Sequence, residues 1–113
     1  MPKSVMSFGF KFGGPNPSPD VEVIDVRRWL GRNPFRMKHL RHLRGTDRAV
    51  QLDIEQTPGF AESYAALLAK VAHSPAQIVC LGCTAGHHRS VYMAEKIAAD
   101  LGVKAFHRDI NKA

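Results

Sequence analysis

Residues 82–90, Gly-Cys-Thr-Ala-Gly-His-His-Arg-Ser, combine the side chains of this chain that are best suited to bind an anion. Five residues separate Cys83 from Arg89; Gly86 is one of them, and Ser90 follows Arg89. An apolar run precedes the segment and a helical pattern follows it. A loop between a strand and a helix aims backbone N–H groups and the positive end of the helix dipole at one point. The guanidinium of Arg89 adds a planar fork of donors that fits a phosphate.

The spacing therefore predicts an oxyanion-binding loop. We expect a phosphate group to contact Cys83, Thr84, Ala85, Gly86, His87, His88, Arg89 and Ser90. Of the two histidines we expect His88 to reach the anion and His87 to face solvent. The same sequence also fits a tight turn in which Gly86 takes a positive φ and Cys83 is a small buried hydrophobe.

Catalysis by Cys83 is an alternative function of the same loop. The Cys-x5-Arg spacing resembles the signature loop of protein tyrosine phosphatases, in which the thiolate attacks phosphorus and the arginine holds its oxygens. A helix N-terminus and a nearby Arg89 favour the thiolate. The leaving group needs a proton donor, for which Asp25 and Asp109 are the candidates. The sequence leaves this alternative open beside non-catalytic binding.

Cys80 and Cys83 form the only Cys-x-x-Cys pair, which in other proteins can be a redox dithiol or half of a zinc site. No second pair completes a zinc set, and the spacing of the nearby histidines is not typical of zinc ligands. We therefore expect one buried thiol and one loop thiol, with no metal and no cofactor.

The basic residues are concentrated in one segment. The chain has a net charge of +6, but residues 27–48 alone carry +7 and the remainder carries −1. A local basic excess is typical of proteins that bind polyanions, although it also fits a solvated surface that only maintains solubility.

The hydrophobic pattern predicts the elements that position these groups. Strands are expected at residues 5–10, 21–26, 77–82 and 103–107, and helices at 59–72 and 91–101. Apolar residues at 37, 40 and 43 predict a short helix that Gly45 ends, and residues 49–54 are ambiguous. Alternating strands and helices predict an α/β fold: a small, mostly parallel sheet of about four strands with helices on both faces. Ligands of such sheets bind at the carboxyl ends of the strands, where the loop, Asp25 and His107 would meet.

The length of 113 residues fits one domain, residues 1–113. The sequence contains no apolar run of the roughly 18–20 residues that span a bilayer and no signal-peptide pattern, so we expect a cytoplasmic protein.

Several segments together resemble one family. They are Ser7-Phe-Gly-Phe-Lys-Phe-Gly13, Asp25-Val-Arg27, Asn33-Pro34, the Leu40-Arg-x-Leu-x-Gly-x-Asp47 pattern, the 82–91 loop with Ala94-Glu95, and His107-Arg-Asp109. In this order they resemble the C-terminal domain of the RNase adapter family RapZ. The nucleotide-binding P-loop half of that family is expected to be absent, since no Gly-x4-Gly-Lys-Ser/Thr segment occurs. Two positions depart from the family pattern: Ala85 replaces the first loop glycine, and Phe35 follows Asn33-Pro34 where histidine is usual.

The resemblance implies a regulatory domain that binds small regulatory RNA and responds to a sugar phosphate such as glucosamine-6-phosphate. It implies that an RNase or kinase partner and a homo-oligomer are to be expected, and that the phosphate pocket is lined by Thr84, Ala85, Gly86, His88 and Arg89. With the local charge, it implies that RNA contacts Lys11, Arg27, Arg28, Arg36, Lys38, Arg41, Arg44, Arg108 and Lys112.

Overall fold

The computed structural model describes all residues from 1 to 113 and contains one parallel sheet of four strands. The strands, in the spatial order β2-β3-β1-β4, are β1 (Ser4–Gly9), β2 (Val21–Asp25), β3 (Ile78–Cys83) and β4 (Lys104–His107). Three helices accompany them: α1 (Arg48–Ile54), α2 (Phe60–Ala72) and α3 (Arg89–Leu101). The predicted α/β class is confirmed, and the ambiguous segment before residue 55 is helical. No helix is both long and apolar enough to cross a membrane.

The helices lie on one face of the sheet, whereas the sequence predicted helices on both. The crossovers from β2 to β3 and from β3 to β4 run in the same direction across the sheet, and right-handed connections then place their helices on the same side. Contacts confirm this geometry. Glu22 of β2 accepts a hydrogen bond from Ser74, just after α2, and His107 of β4 contacts Glu95 of α3. Strand and helix residues of this face form the main core.

The opposite face is covered in part by the chain that leaves β1. The rings of Phe8 and Phe10 pack edge to face with centroids 4.8 Å apart, and both lie against Gly82, where a Cβ atom would be 2.4 Å from Phe8 and 2.6 Å from Phe10. Phe106 lies beside Met6 on this face and remains 52% exposed. This cover makes Phe8 fully buried at the end of the sheet where the candidate loop lies.

The predicted helix around residues 37–43 is wrong. A 3-10 turn spans Pro34–Arg36, and a series of turns follows it up to Gly45. The segment turns at helical spacing without forming a helix: the amides of Leu40 and Arg41 donate to Met37 O, and that of Leu43 donates to Leu40 O. Side chains hold these turns in place, because Arg41 donates to Phe35 O and His88 donates to Leu43 O.

Candidate anion-binding site

The loop between β3 and α3 is packed directly against the end of β1. A Cβ atom at Gly9 would lie 2.3 Å from the carbonyl carbon of Ala85, and one at Gly86 would lie 2.6 Å from the amide nitrogen of Gly9. Gly86 also has a φ of +75°, which favours glycine. The amide of Lys11 donates to Thr84 O at 3.1 Å. Two facing glycines thus allow the two backbones to touch and define the path of the loop.

The turns at residues 41–45 hold the loop from its other side. The amide of Gly45 donates to His87 O at 2.7 Å, and the imidazole Nε2 of His88 lies 2.8 Å from Leu43 O. A Cβ atom at Gly45 would lie 2.3 Å from His88 O, so glycine is required for this approach. His88 is buried in the contact, which makes it a positioning residue for the loop in this structure.

Arg89 is the most informative side chain of the site. It is only 7% exposed, and its one hydrogen bond to the protein runs from Nη1 to Leu30 O at 3.0 Å. No carboxylate forms an ion pair with it. Burial is the main cause that lowers the pKa of this guanidinium; Arg27 and Arg36 also lower it, whereas Cys83 and Asp25 raise it. Buried charges are normally paired, so a buried arginine without an ion pair favours an anionic ligand.

Asp25 is already engaged by a different arginine. The Arg27 guanidinium donates to both Asp25 carboxylate oxygens at 2.9 Å, and these hydrogen bonds lower the pKa of Asp25. Arg27 Nη1 also lies 3.4 Å from the hydroxyl oxygen of Thr84, which is exposed at the start of the loop. Asp25 therefore orients Arg27 beside the loop and leaves Arg89 without a partner.

Cys83 is buried, with 4% of its surface exposed, and belongs to the main core. Its Sγ lies 3.1 Å from the hydroxyl oxygen of Ser90. Cys80 is buried on the other face of β3, and burial raises the pKa of its thiol. The structure contains no cluster of three or more histidine, cysteine or acidic side chains that could hold a metal ion.

The second acidic candidate, Asp109, holds the C-terminal segment to β1. Its carboxylate is fully buried and accepts hydrogen bonds from the Gly9 amide at 2.7 Å and from Arg108, and it pairs with Lys112 at 2.7 Å. Burial alone would raise the pKa, but these donors lower it to about 2. Asp109 is thus ionised at neutral pH, as is Asp25, and neither holds a proton for a leaving group.

A basic pocket of about 400 Å³ opens on the outer side of the loop. Six of its nine lining residues have nitrogen-bearing side chains and none is acidic; the lining is Lys11, Phe35, Arg41, His42, Arg44, Ala85, His87, His88 and Ala113. His87 is half-buried rather than facing solvent as predicted, and its Nε2 lies 2.7 Å from Lys112 O. Of the predicted loop, Ala85, His87 and His88 line the pocket beside three of the basic residues predicted to bind RNA, whereas Arg89 does not line it.

The basic residues predicted to bind RNA fall into two groups. Arg27, Arg108 and Lys112 are paired with carboxylates, as are Arg32 and Arg48 of the same basic segment. The remaining six form no ion pair: Lys11, Arg28, Arg36, Lys38, Arg41 and Arg44. Arg44 instead donates to Ile110 O at 2.7 Å and braces the C-terminal segment. The uncompensated charge is thus smaller than the sequence count suggested, and three of the six unpaired residues, Lys11, Arg41 and Arg44, line the pocket.

Sequence reasoning missed the contributions of Gly9, Gly45, Leu30 and His42. In the sequence, a pair of glycines that permits backbone contact is visible only as isolated glycines near the ends of strands and turns. Such glycines do not show which other segment of the chain they face. The role of the Leu30 carbonyl leaves no signal at all, because every residue type has that group.

The two loop histidines predict acid sensitivity of the fold. Burial is the main cause that lowers the pKa of both His87 and His88 below 6.5, with Arg44 contributing. Below about pH 6.5 the unfolded chain then binds more protons than the folded one, so the free energy of unfolding falls as pH drops and is constant above that range. Urea unfolding between pH 5 and 7.5 measures how steeply the free energy of unfolding depends on pH. His88→Gln should reduce this dependence, while the exposed control His39→Gln should not. Equal pH dependence in the wild type and both variants would contradict the assignment to the buried histidines.

The chain is similar to a known family and to several curated proteins. Residues 1–111 match the family described as the RapZ C-terminal domain. A nucleotide-binding protein of Limosilactobacillus reuteri is 42% identical over 124 aligned positions, covering 96% of this chain and 41% of the relative. Similar proteins of Synechococcus sp. and Frankia alni, also called nucleotide-binding proteins, are each 37% identical and are covered over 30% and 41% of their length. The chain thus spans less than half of these curated relatives. With nearly its whole length matched, it belongs to the RapZ C-terminal domain family.

Proposed function

We propose that the chain is a non-catalytic regulatory domain that binds a phosphate-bearing small molecule, such as a sugar phosphate, at the loop and RNA on the adjacent basic surface. Binding of the phosphate group is supported by Arg89, whose buried guanidinium lies beside a glycine loop and has no carboxylate partner. An anion placed there would supply the missing charge, and charge-assisted hydrogen bonds would hold it.

The names of the relatives do not identify the ligand of this chain. Those proteins are called nucleotide-binding, but this chain matches less than half of each. It also contains no Gly-x4-Gly-Lys-Ser/Thr segment, which is the usual backbone cradle for nucleotide phosphates. Support for phosphate binding therefore comes from the residues of this domain.

A thermal-shift and calorimetric titration tests the small-ligand half. The panel contains sulfate, inorganic phosphate, glucosamine-6-phosphate and other sugar phosphates, each added to the wild-type chain. A ligand that binds the folded state raises the melting temperature with its concentration. A saturable shift with one sugar phosphate, larger than that with sulfate, supports the proposal. Equal, weak shifts with all anions would reduce the loop to a general oxyanion site.

RNA binding rests on the six unpaired basic residues and on family membership. A cation that is already paired with a carboxylate releases fewer counterions from RNA than an unpaired one, because its charge is compensated. The residues that matter most for RNA are therefore those without ion pairs, and three of them lie between residues 36 and 41: Arg36, Lys38 and Arg41.

Replacing Arg36, Lys38 and Arg41 together by glutamine is expected to weaken RNA binding and reduce its salt dependence. Each phosphate contact contributes about 0.7–0.9 to the slope of log K against log salt, so the slope should fall by about two to three. Fluorescence anisotropy with a labelled RNA at several salt concentrations measures it. The matched control replaces Arg32, Arg48 and Lys70, which have carboxylate partners. An unchanged slope in the first triple variant, or equal losses in both, would contradict the basic-surface assignment.

A cysteine phosphatase is a second candidate because of one contact, Cys83 Sγ to Ser90 Oγ at 3.1 Å. A hydroxyl there can stabilise a thiolate, whose sulfur would bond to phosphorus while the bond to the leaving oxygen breaks. That oxygen needs a proton, and the ionised Asp25 and Asp109 offer none, so the binding role is favoured. An assay for inorganic phosphate in the incubations with sugar phosphates distinguishes the two functions. Release of phosphate by the wild type that Cys83→Ser abolishes would establish a phosphatase.

A further inference from the structure

Phe35 is the exposed ring of the basic pocket. The side chain of Asn33 accepts a hydrogen bond from the Phe35 amide at 3.2 Å, and Pro34 is buried beneath the turn. This turn directs Phe35 outward, where it is 54% exposed while lining the pocket. The position of the ring is thus set by the turn and not by burial.

Arg41 fixes the ring from one side. Its guanidinium lies 4.8 Å from the centre of the Phe35 ring, and its Nε donates to the backbone oxygen of Phe35 at 3.0 Å. Because the arginine is tied to the backbone of the residue that it covers, ring and guanidinium form a rigid unit. A rigid aromatic and arginine surface beside unpaired cations has the composition of sites on which nucleic-acid bases stack.

The size of the pocket argues against a bare phosphate as its occupant. A volume of about 400 Å³ falls in the range that holds small organic ligands. Lys11, Arg44 and Phe35 all line the pocket. A sugar phosphate would satisfy the cations and leave the ring uncovered, whereas a phosphate ester with a flat ring would use both.

We infer that the pocket holds one nucleotide, with its base against Phe35 and its phosphate toward Lys11, Arg44 and the loop. The inference rests on the proposed phosphate binding and goes further by naming the ligand class. The same chemistry can come from a free mononucleotide or from an unpaired nucleotide of RNA.

Calorimetry with AMP and ribose 5-phosphate measures the contribution of the base to affinity, because AMP carries adenine where ribose 5-phosphate carries a hydroxyl group. AMP is expected to bind at least fivefold more tightly to the wild-type chain, as stacking on an aromatic side chain contributes by about that factor or more. Phe35→Leu should reduce the difference to below twofold while leaving the dissociation constant of ribose 5-phosphate unchanged. Phe106→Leu, which removes an equally exposed ring outside the pocket, should change neither value.

The outcomes distinguish a failure of the nucleotide assignment from a failure of phosphate binding. Equal binding of AMP and ribose 5-phosphate, or a similar loss of both in Phe35→Leu, overturns the nucleotide assignment and leaves phosphate binding intact. No binding of either compound, with none of inorganic phosphate, overturns both. A further arm compares a short unpaired RNA with the same RNA in a blunt duplex. Displacement of AMP by the unpaired RNA alone identifies an RNA nucleotide as the source, and displacement by neither identifies a free nucleotide.

Discussion

Arg89→Met is expected to abolish phosphate binding while the domain remains folded. In the folded chain the Arg89 guanidinium is buried, donates one hydrogen bond to Leu30 O and has no carboxylate partner. Removing a buried, charged hydrogen-bonding partner from an interface costs about 2–5 kcal/mol, which corresponds to an affinity loss of at least about 30-fold.

The stability of Arg89→Met should change little, because two effects oppose each other. Methionine fills a similar volume and removes a charge that is unfavourable when buried without a partner. The Leu30 carbonyl loses one hydrogen bond, which costs about 1 kcal/mol. We therefore expect the free energy of unfolding to stay within about 1 kcal/mol of the wild-type value in ligand-free buffer.

Paired measurements distinguish this binding role from a structural one. Urea unfolding gives the stability, and calorimetry gives the dissociation constant of the ligand that the panel selects. Arg28→Met is the matched control, since Arg28 is exposed and forms no ion pair. A variant of Arg89 that unfolds readily yet binds normally when folded would show that the guanidinium serves the fold, and the proposed site would be wrong.

How far the sequence predicted this site depends on the kind of contact involved. The strand, loop and helix around residue 86 follow from local periodicity and one glycine, and Arg89 could be singled out from its spacing alone. In place of the helix expected near Leu40 the chain forms turns, and the end of this segment is held by contacts of Leu43 and Gly45 with the loop histidines, which are distant in sequence. Pairing of Arg27 with Asp25 is local and could have been anticipated, but the isolation of Arg89 depends on burial, which periodicity does not report.

The placement of all helices on one face shows the same limit at the level of topology. Local patterns give the number and type of the elements, and all four strands lie within one residue of their predicted bounds at both ends. The order β2-β3-β1-β4 depends on which strand enters the centre of the sheet, a choice made by non-local packing. Once that order is known, the handedness of the crossovers determines the helix face.

Gly86→Ala is expected to be the most damaging single-methyl substitution in the loop. Its added Cβ would lie 2.6 Å from the Gly9 nitrogen and 2.7 Å from the Phe8 carbonyl carbon, and both contacts are with backbone of a central strand. The positive φ of +75° adds about 1–2 kcal/mol for any residue with a Cβ, and forced overpacking adds about 1–3 kcal/mol. Reduced entropy of the unfolded chain returns at most about 1 kcal/mol. We therefore expect a loss of about 2–4 kcal/mol, a large part of the stability of a small domain.

Two other glycines separate the causes of that loss. Gly102 has nearly the same φ, +71°, but nothing lies within 4 Å of its Cβ position, so Gly102→Ala measures the backbone cost alone, about 1 kcal/mol. Gly31 has an open Cβ position and no positive φ, so Gly31→Ala should be close to neutral. Urea unfolding of the three variants should rank them Gly86, Gly102, Gly31 in order of damage. If Gly86→Ala is too unstable to purify, its yield of soluble protein against that of Gly102→Ala gives the same ranking. Equal losses at Gly86 and Gly102 would mean that the loop does not touch β1, and the close backbone contact that shapes the anion site would be wrong.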